Sequence, residues 1–306
     1  VAAIPSTDDF SPDNPLWNGL SGLVNTRGVS LVSAIDASRL PPNSTLLVIG
    51  PSLGFTREEA ESIFKFVYSG GVLVVMDDYG SGWELLRLIG VPVEPLSGVL
   101  RDPLFKYKAS ALPRARASSG AQLVLNYAAA LRVSGGECIA WSSHFSYLDL
   151  NNNGAPDPGE PAGPFCVAAC IKVGAGKVVV VSDSSIALNS MLQLNQEFLG
   201  EVLSGRLYLV ADKWSVGPYT SARRALVGFV SLVFSTDLKY PAAAYISIGA
   251  FFAAKRLYTQ RRARHLKPRL ESVIRELLKK HPEWDSESVR LVAREVLELG
   301  ESEGSR

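Results

Sequence analysis

"TLLVIGPSLGFTREEAESIFKFVYSGGVLVVMDD", residues 45–78, carries the fold class. Two short apolar runs, 45–50 and 72–78, flank a stretch of helical periodicity at 56–71. Ala60, Ile63, Phe64 and Val67 make one apolar face of that helix. Thr56 and Glu59 have the spacing of a capping box, and Gly70 with Gly71 ends the helix. The flanking runs are apolar throughout, so both faces of each strand are expected to be covered. Strands of that kind joined through a helix imply an α/β fold with a mainly parallel sheet flanked by helices.

The same alternation continues on both sides. Upstream, "VSLVSAI" (29–35) reads as a strand; downstream, "ECIAWSS" (137–143), "FCVAACIKV" (165–173) and "KVVVVSD" (177–183) do so, followed by a helix through "NQEFLGEVLSG" (195–205). The runs at 165–173 and 177–183, joined by "GAGK", read as a β-hairpin. A chain of 306 residues with 47% hydrophobic content is large enough for a sizeable core. It shows no long-period repeat and no low-complexity tract.

The net charge of +1 is unevenly spread, with 18 basic and 21 acidic residues over 1–254 against 13 and 9 over 255–306. Seven Lys or Arg residues and no acid lie between Lys255 and Arg269, just after the most apolar part of the chain. That part consists of 225–235 and 240–254, separated by Thr236, Asp237, Leu238 and Lys239, and neither stretch alone reaches the roughly 20 residues of a bilayer crossing. A buried soluble helix therefore stands as one alternative. The other is a crossing near 240–258, lengthened by the snorkelling of Lys239 and Lys255 and by Tyr240, Tyr245 and Tyr258 at the interface. The expected domains are then an extracytoplasmic α/β domain over 1–218, an apolar helical region over 219–258 and a basic cytoplasmic helical tail over 259–306. The cell membrane is the expected location. The first residue is Val1, so a targeting segment is expected to have been removed or left out.

"STDDFSPDN" (6–14), "LPPNSTLLVIGPSLGFTREEAESIFKFVYSGGVLVVMDDYGSG" (40–82), "DLNNNGAPDPGEPAGPF" (149–165), "GKVVVVSDSSIALN" (176–189) and "NQEFLGEVL" (195–203) resemble one family. It comprises membrane-anchored archaeal and bacterial proteins with a class I glutamine-amidotransferase-like outer domain, of the domain-of-unknown-function 4350 type. The resemblance spans roughly 6–212. It implies a flavodoxin-like sheet, a C-terminal membrane anchor, no established activity and, through relatives encoded beside MoxR-type ATPases, an assembly or maturation role. This chain departs from the pattern at "VADKWSVGP" (210–218), where relatives often carry an acidic, His-containing stretch.

A class I amidotransferase needs a Cys nucleophile on a tight strand-to-helix turn and a His to activate it. The turn after 72–76 reads "DDYGSG", and Cys138, Cys166 and Cys170 all lie in strand-like runs. His265 and His281 are in the tail, leaving His144 as the sole candidate base in the domain. Ser182 or Ser184 lacks a G-x-S-x-G surround. An enzyme is not the favoured reading. Asp8, Asp9, Asp77, Asp78, Ser182 and Asp183 can gather at the carboxyl ends of the strands, where open α/β sheets bind ligands; serving as caps and loop acceptors is the equal alternative. For the cysteines, a disulfide from Cys138 to Cys166 or to Cys170 competes with three buried thiols. The thiols are preferred because free Cys packs well as a small apolar group.

"DLNNNGAPDPGE" (149–160) has the spacing of an EF-hand loop. Asp149, Asn151, Asn153, the Ala155 carbonyl, Asp157 and Glu160 occupy the six ligand positions, with Gly154 at the sharp turn. Calcium is the expected cofactor and an Asx-rich turn the alternative. Pro156, Pro158, Pro161 and Pro164 argue against a following helix, so an ion there would rigidify a loop and transmit nothing. In the tail, Leu270, Val273, Ile274, Leu277 and Leu278 form one stripe and Val289, Val292, Ala293 and Val296 a second. They suit an αα-hairpin that packs on itself, on a partner, on another copy or on lipid. Two function classes follow. The first is a non-enzymatic, membrane-anchored binding or assembly module with a calcium-stabilised outer domain. The second is an extracytoplasmic hydrolase or transferase using the strand-end Asp and Ser residues. No nucleic-acid partner is expected.

Overall fold

A computed structural model describes residues 5–235 and 239–303, and within them all side chains except those of 224, 230, 231, 233–235, 239, 242, 243, 259–271, 294 and 296–303. The chain divides into two units, Val1–Leu226 and Val227–Arg306. The first holds the strands β1 (Ser30–Val32), β2 (Ser44–Ile49), β3 (Val72–Met76), β4 (Val93–Leu96), β5 (Val99–Arg101), β6 (Arg114–Ala117), β7 (Gln122–Val124), β8 (Ala130–Val133), β9 (Glu137–Ser142), β10 (Tyr147–Asp149), β11 (Cys166–Val173), β12 (Gly176–Val181) and β13 (Arg206–Val210). Helices α1 (Ser21–Arg27), α2 (Arg57–Tyr68), α3 (Gly82–Leu88) and α4 (Gln196–Val202) lie among them.

Strands β1-β13-β2-β3-β12, in that order, pair in parallel. Beyond β12 the sheet turns antiparallel through β11, β9, β6 and β7, with β8 beside β11 and β4 beside β8. The mainly parallel sheet expected from the sequence is thus corrected to a mixed one. Connection length is the reason. A parallel pair needs a crossover of a dozen or more residues. β12 follows β11 after only Gly174 and Ala175, and β7 follows β6 after four residues, 118–121. The hairpin of β11 and β12 forms in the expected place, from Ala168 opposite Val181 to Val173 opposite Gly176.

In the parallel part the side chains alternate between two cores, as the period of two along a strand requires. Leu47, Ile49, Val74, Met76, Val179, Val181, Leu207 and Leu209 pack with Leu23 of α1 and Phe198 and Leu199 of α4. Leu46, Val48, Leu73, Val75, Val178, Val180, Tyr208 and Val210 pack with Ile63, Phe66 and Val67 of α2 and Leu85 and Leu86 of α3. Each such side chain contributes on the order of 2 kcal/mol by leaving water. Phe66 is the aromatic buried from α2, while Phe64 stays half-buried. The capping box forms: the Glu59 N–H donates to Thr56 Oγ1 at 3.2 Å and the Thr56 N–H to Glu59 Oε2 at 2.8 Å.

Helices α5 (Pro218–Ser235), α6 (Lys239–Lys280) and α7 (Ser286–Glu303) complete the chain, and Thr236, Asp237 and Leu238 lie outside the described residues. Among the described residues, no helix is long and apolar enough to cross a membrane. That finding overturns the C-terminal membrane helix expected near 240–258. The helix α6 has 42 residues, but its apolar run is interrupted by Pro241, Ser247 and Gly249 and stops at Lys255 and Arg256, short of the roughly 20 residues a crossing takes.

At the turn between α6 and α7, the rings of His281 and Trp284 stack at 4.2 Å, and Asp285 caps α7 by accepting the Ser288 N–H at 2.9 Å. Ile274, from the first expected stripe, is buried; the side chains of Leu270 and Val296 lie outside the described ones. A disulfide joins Cys138 of β9 to Cys166 of β11 with Cα atoms 5.9 Å apart, and Cys170 is free. The preference for three thiols is therefore corrected. The register pairs Cys138 with Ala169 and Cys166 with Trp141, but irregularities in the β9–β11 ladder between Cys166 and Ala169 leave the two cysteine Cα atoms within bridging range, which spacing along the chain does not reveal.

Candidate functional site

At the carboxyl ends of β2, β3 and β12 the chain leaves the sheet through Gly50–Ser52, Asp77–Gly80 and Ser182–Ser185. These turns, with Asp9, Phe10, Trp17, Asn18 and Asn126, wall a cleft of ≈ 390 Å³. Gly50 has φ +52, and a Cβ there would come within 3.0 Å of the Phe10 ring, so the wall closes only over glycine.

The carboxylates differ in what they do. Asp77 is buried and accepts the N–H groups of Gly80 at 2.7 Å and Gly82 at 2.6 Å, which closes the turn into α3. Burial pushes its pKa up to about 6 against the pull of those two N–H groups, and the charge of Asp78 adds to the rise. Asp183, fully buried, accepts the N–H groups of Asn126 at 2.6 Å and Ser185 at 2.7 Å. Burial, with the charge of Asp78 next, pushes it up to about 8, so at neutral pH it is held largely protonated. Asp78 faces the cleft and accepts the Ser184 hydroxyl at 2.9 Å. Asp9 also lines the cleft, bonded to the Asn18 side-chain amide.

Three of the expected residues, Asp8, Ser182 and the buried Asp183, do not line the cleft. Asp8 accepts the Gly217 N–H at 3.1 Å and does not line the cleft. Ser182 is buried beneath it, and its hydroxyl has no hydrogen-bond partner among the described residues. The cleft lining contains neither Cys nor His, and His144 is exposed elsewhere.

In the loop 149–160, Asp157 Oδ2 meets the side-chain amides of Asn151 at 2.7 Å and Asn153 at 2.6 Å. Glu160 accepts the N–H groups of Leu150 at 2.8 Å and Asp157 at 3.0 Å. Asp149 is buried; it accepts the N–H groups of Asn153 and Gly154 and pairs with Arg101, Nε to Oδ2 at 2.5 Å. Burial pushes the Asp149 carboxyl up, but the Gly154 N–H and the Arg101 guanidinium outweigh it and hold it below the usual carboxylate range. Among the described residues, no three His, Cys, Asp or Glu side chains converge as a metal cage. The donor set still fits a hard cation: three carboxylates, two amides and a carbonyl are all oxygen donors. The two Asn side chains already turn their oxygens to the loop backbone, accepting the N–H groups of Asn153 at 3.0 Å and Ala155 at 2.8 Å, and their nitrogens to Asp157.

The description "domain of unknown function (DUF4350)" belongs to a family model that matches residues 12–203. The chain belongs to the DUF4350 family. No curated protein matches it. Among solved structures, it is similar to the mmIFT52 N-terminal domain at 15% identity and a TM-score of 0.42, over 56% of this chain and 82% of that one. It is also similar to the exo-β-1,4-mannosidase Op5Man5 from Opitutaceae bacterium strain TAV5 at 14% identity and a TM-score of 0.31, over 53% of this chain and 26% of that one. A β-galactosidase from Bacillus circulans sp. alkalophilus stands at 14% and 0.32, over 52% and 23%. The chain therefore spans about a quarter of the length of either glycosidase.

Several residues of this DUF4350 domain escape a reading of the sequence. Tyr79 reaches from the cleft wall to the Gly98 carbonyl at 3.3 Å, and burial, reinforced by the charges of Asp78 and Asp183, pushes its pKa up to about 12. Trp17, 70% exposed, stands at the cleft rim. Arg101 joins β5 to the 149–160 loop through Asp149 and also donates from Nη2 to Asn152 at 2.8 Å. A signal existed for Tyr79, which follows the two acids directly. None existed for Arg101, 48 residues from its partner.

Proposed function

We propose that the protein is a non-enzymatic binding module whose ligand enters the cleft at the carboxyl ends of β2, β3 and β12. One observation carries this reading: the two most perturbed carboxylates, Asp77 and Asp183, are spent on backbone N–H groups. That leaves Asp78 and Asp9 facing the cleft with no Cys or His beside them. Catalytic groups come as matched partners, and here they are absent from the lining. Asp9, Asp78, Trp17 and Tyr79 instead suit a small ligand bearing hydroxyls or a positive charge, which carboxylates accept and aromatic faces cover.

Calcium at 149–160, held by Asp149, Asn151, Asn153, the Ala155 carbonyl, Asp157 and Glu160, belongs to the same proposal as a stabiliser of the domain, supported by the oxygen-only donor set. An extracytoplasmic location is supported by the Cys138–Cys166 disulfide, since such bonds persist in oxidising compartments. A MoxR-type ATPase system is the partner this reading favours.

The second reading, a hydrolase or transferase, rests on the hydrogen bond from Ser184 Oγ to Asp78 Oδ1. A thermal-shift screen of polyols and alkylammonium compounds, run beside ester, amide and glycoside turnover assays, separates the two. The module reading expects melting-temperature shifts that Asp78→Asn and Trp17→Ala abolish, with no turnover. A substrate consumed by the wild type and spared by Asp78→Asn would establish the enzyme instead.

A further inference from the structure

A second surface lies at the antiparallel end of the sheet, where β6 is flanked by β7 and β9. The register sets Arg116 opposite Gln122 of β7 and opposite Trp141 of β9, so the three residues form one cross-strand row. All three are solvent-exposed, as is Arg114 two residues earlier on the same face, while Ala115 and Ala117, which alternate with the two arginines, are buried. Two residues along a strand is about 7 Å, so two guanidinium groups stand side by side on β6. Among the described residues neither forms an ion pair, and Arg114 donates to Gln122 Oε1 only at a long 3.5 Å.

Aromatic surface continues the row. Trp141 is 39% exposed, and Phe105 and Phe145 stack at 5.9 Å with 51% and 56% exposure. Phe105, Arg114, Arg116, Gln122 and Trp141 together line a groove of ≈ 400 Å³. Both guanidiniums are solvated beside exposed rings and free to take a partner from outside. An Arg fork without a carboxylate of its own matches a carboxylate, sulfate or phosphate from outside.

We propose that this face docks an acidic polysaccharide, whose anionic groups pair with Arg114 and Arg116 and whose sugar ring stacks on Trp141. Single-stranded nucleic acid offers the same combination of charge and flat faces. The polysaccharide is favoured because β9, which supplies Trp141, also carries Cys138 of the disulfide and so belongs to an oxidising compartment. The cleft at the carboxyl ends of β2, β3 and β12 plays no part in this argument, and only the choice of polysaccharide over nucleic acid rests on the extracytoplasmic location proposed above.

The test uses the full chain, with polygalacturonate as the probe and neutral dextran and oligo(dT) as comparators, at several salt concentrations. Polygalacturonate is expected to bind and dextran not to. Arg114→Ala with Arg116→Ala should weaken binding at least tenfold and flatten its salt dependence, because fewer counterions are displaced. Trp141→Ala should weaken it several-fold with the salt slope unchanged, a split that charge alone cannot produce. All three side chains are on the surface, and unchanged melting temperatures would show that the variants fold. Three results would each overturn the proposal: binding unaffected by the double Arg variant, Trp141→Ala binding as tightly as the wild type, or oligo(dT) preferred over polygalacturonate.

Discussion

Asp183 shows how far a single residue departs from its free chemistry once the chain has folded. Its carboxyl sits between Asn126 and Ser185 with no cation near enough to keep it charged, and burial holds its pKa at about 8 against an ordinary 3.8. A carboxyl raised in the folded state binds its proton more tightly there than in the unfolded chain. Its contribution is therefore fully present below pH about 4 and is lost as pH rises through about 8. Asp77 acts in the same direction up to about 6. Asp149 and Asp13 are held below the usual range and act only at acid pH, so they are silent in that window. Urea midpoints should consequently fall between pH 5 and pH 8.5. Asp183→Asn, which cannot ionise, should reduce the fall towards pH 8.5. If the variant and the wild type fall in parallel, Asp183 is already ionised at pH 5 and the burial argument fails. That Asp77 and Asp183 end strands was legible in "VLVVMDD" and "KVVVVSD". That both would be spent on turns, leaving Asp78 to face the cleft, was not, because that depends on N–H groups supplied by Gly80, Gly82, Asn126 and Ser185.

At the level of elements, local signals were read correctly where the physics is local. The capping box, the apolar face of α2 and the hairpin of β11 and β12 all depend on residues within a few positions of one another. The short strands β4 to β8 carry weak signals of three or four residues each, and β13 was missed although it sits between β1 and β2. The disulfide belongs to this level too, since it ties β9 to β11 and closes a loop over a sequence separation of 28 residues. For a loop of that size, the chain-entropy account gives about 3.6 kcal/mol of stabilisation. Reduction, or Cys166→Ser, should lower the unfolding free energy by about that amount in urea titrations, while Cys170→Ser should leave it nearly unchanged. An identical midpoint before and after reduction would mean that the bridge constrains nothing that matters for folding.

For the molecule as a whole, polar contacts hold the long loop at 149–160. Arg101 supplies the positive charge to Asp149, and Asp157 and Glu160 take amide donors. Calcium binding to the folded state alone should raise the melting temperature, by about 2.7 kcal/mol of stabilisation at a hundredfold excess over Kd. Glu160→Ala removes two loop hydrogen bonds as well as a cation ligand, so the readout is the shift on adding calcium and not the starting temperature. Equal shifts in the variant and the wild type would move the ion elsewhere. By itself, the sequence determined the covered strands, the capped helix between them, the hairpin and the cation-loop spacing, because each follows from side chains near one another along the chain. Its apolar stretch at 240–254 was over-read as a crossing, since basic flanks do not compensate for a run that ends too soon. Tertiary structure alone decided the change from parallel to antiparallel pairing beyond β12, the Arg101–Asp149 ion pair, the protonation of Asp183 and the row formed by Gln122, Arg116 and Trp141. Each of these needs a partner brought from a distant or separately folded segment, and only the register of the sheet determines which one arrives.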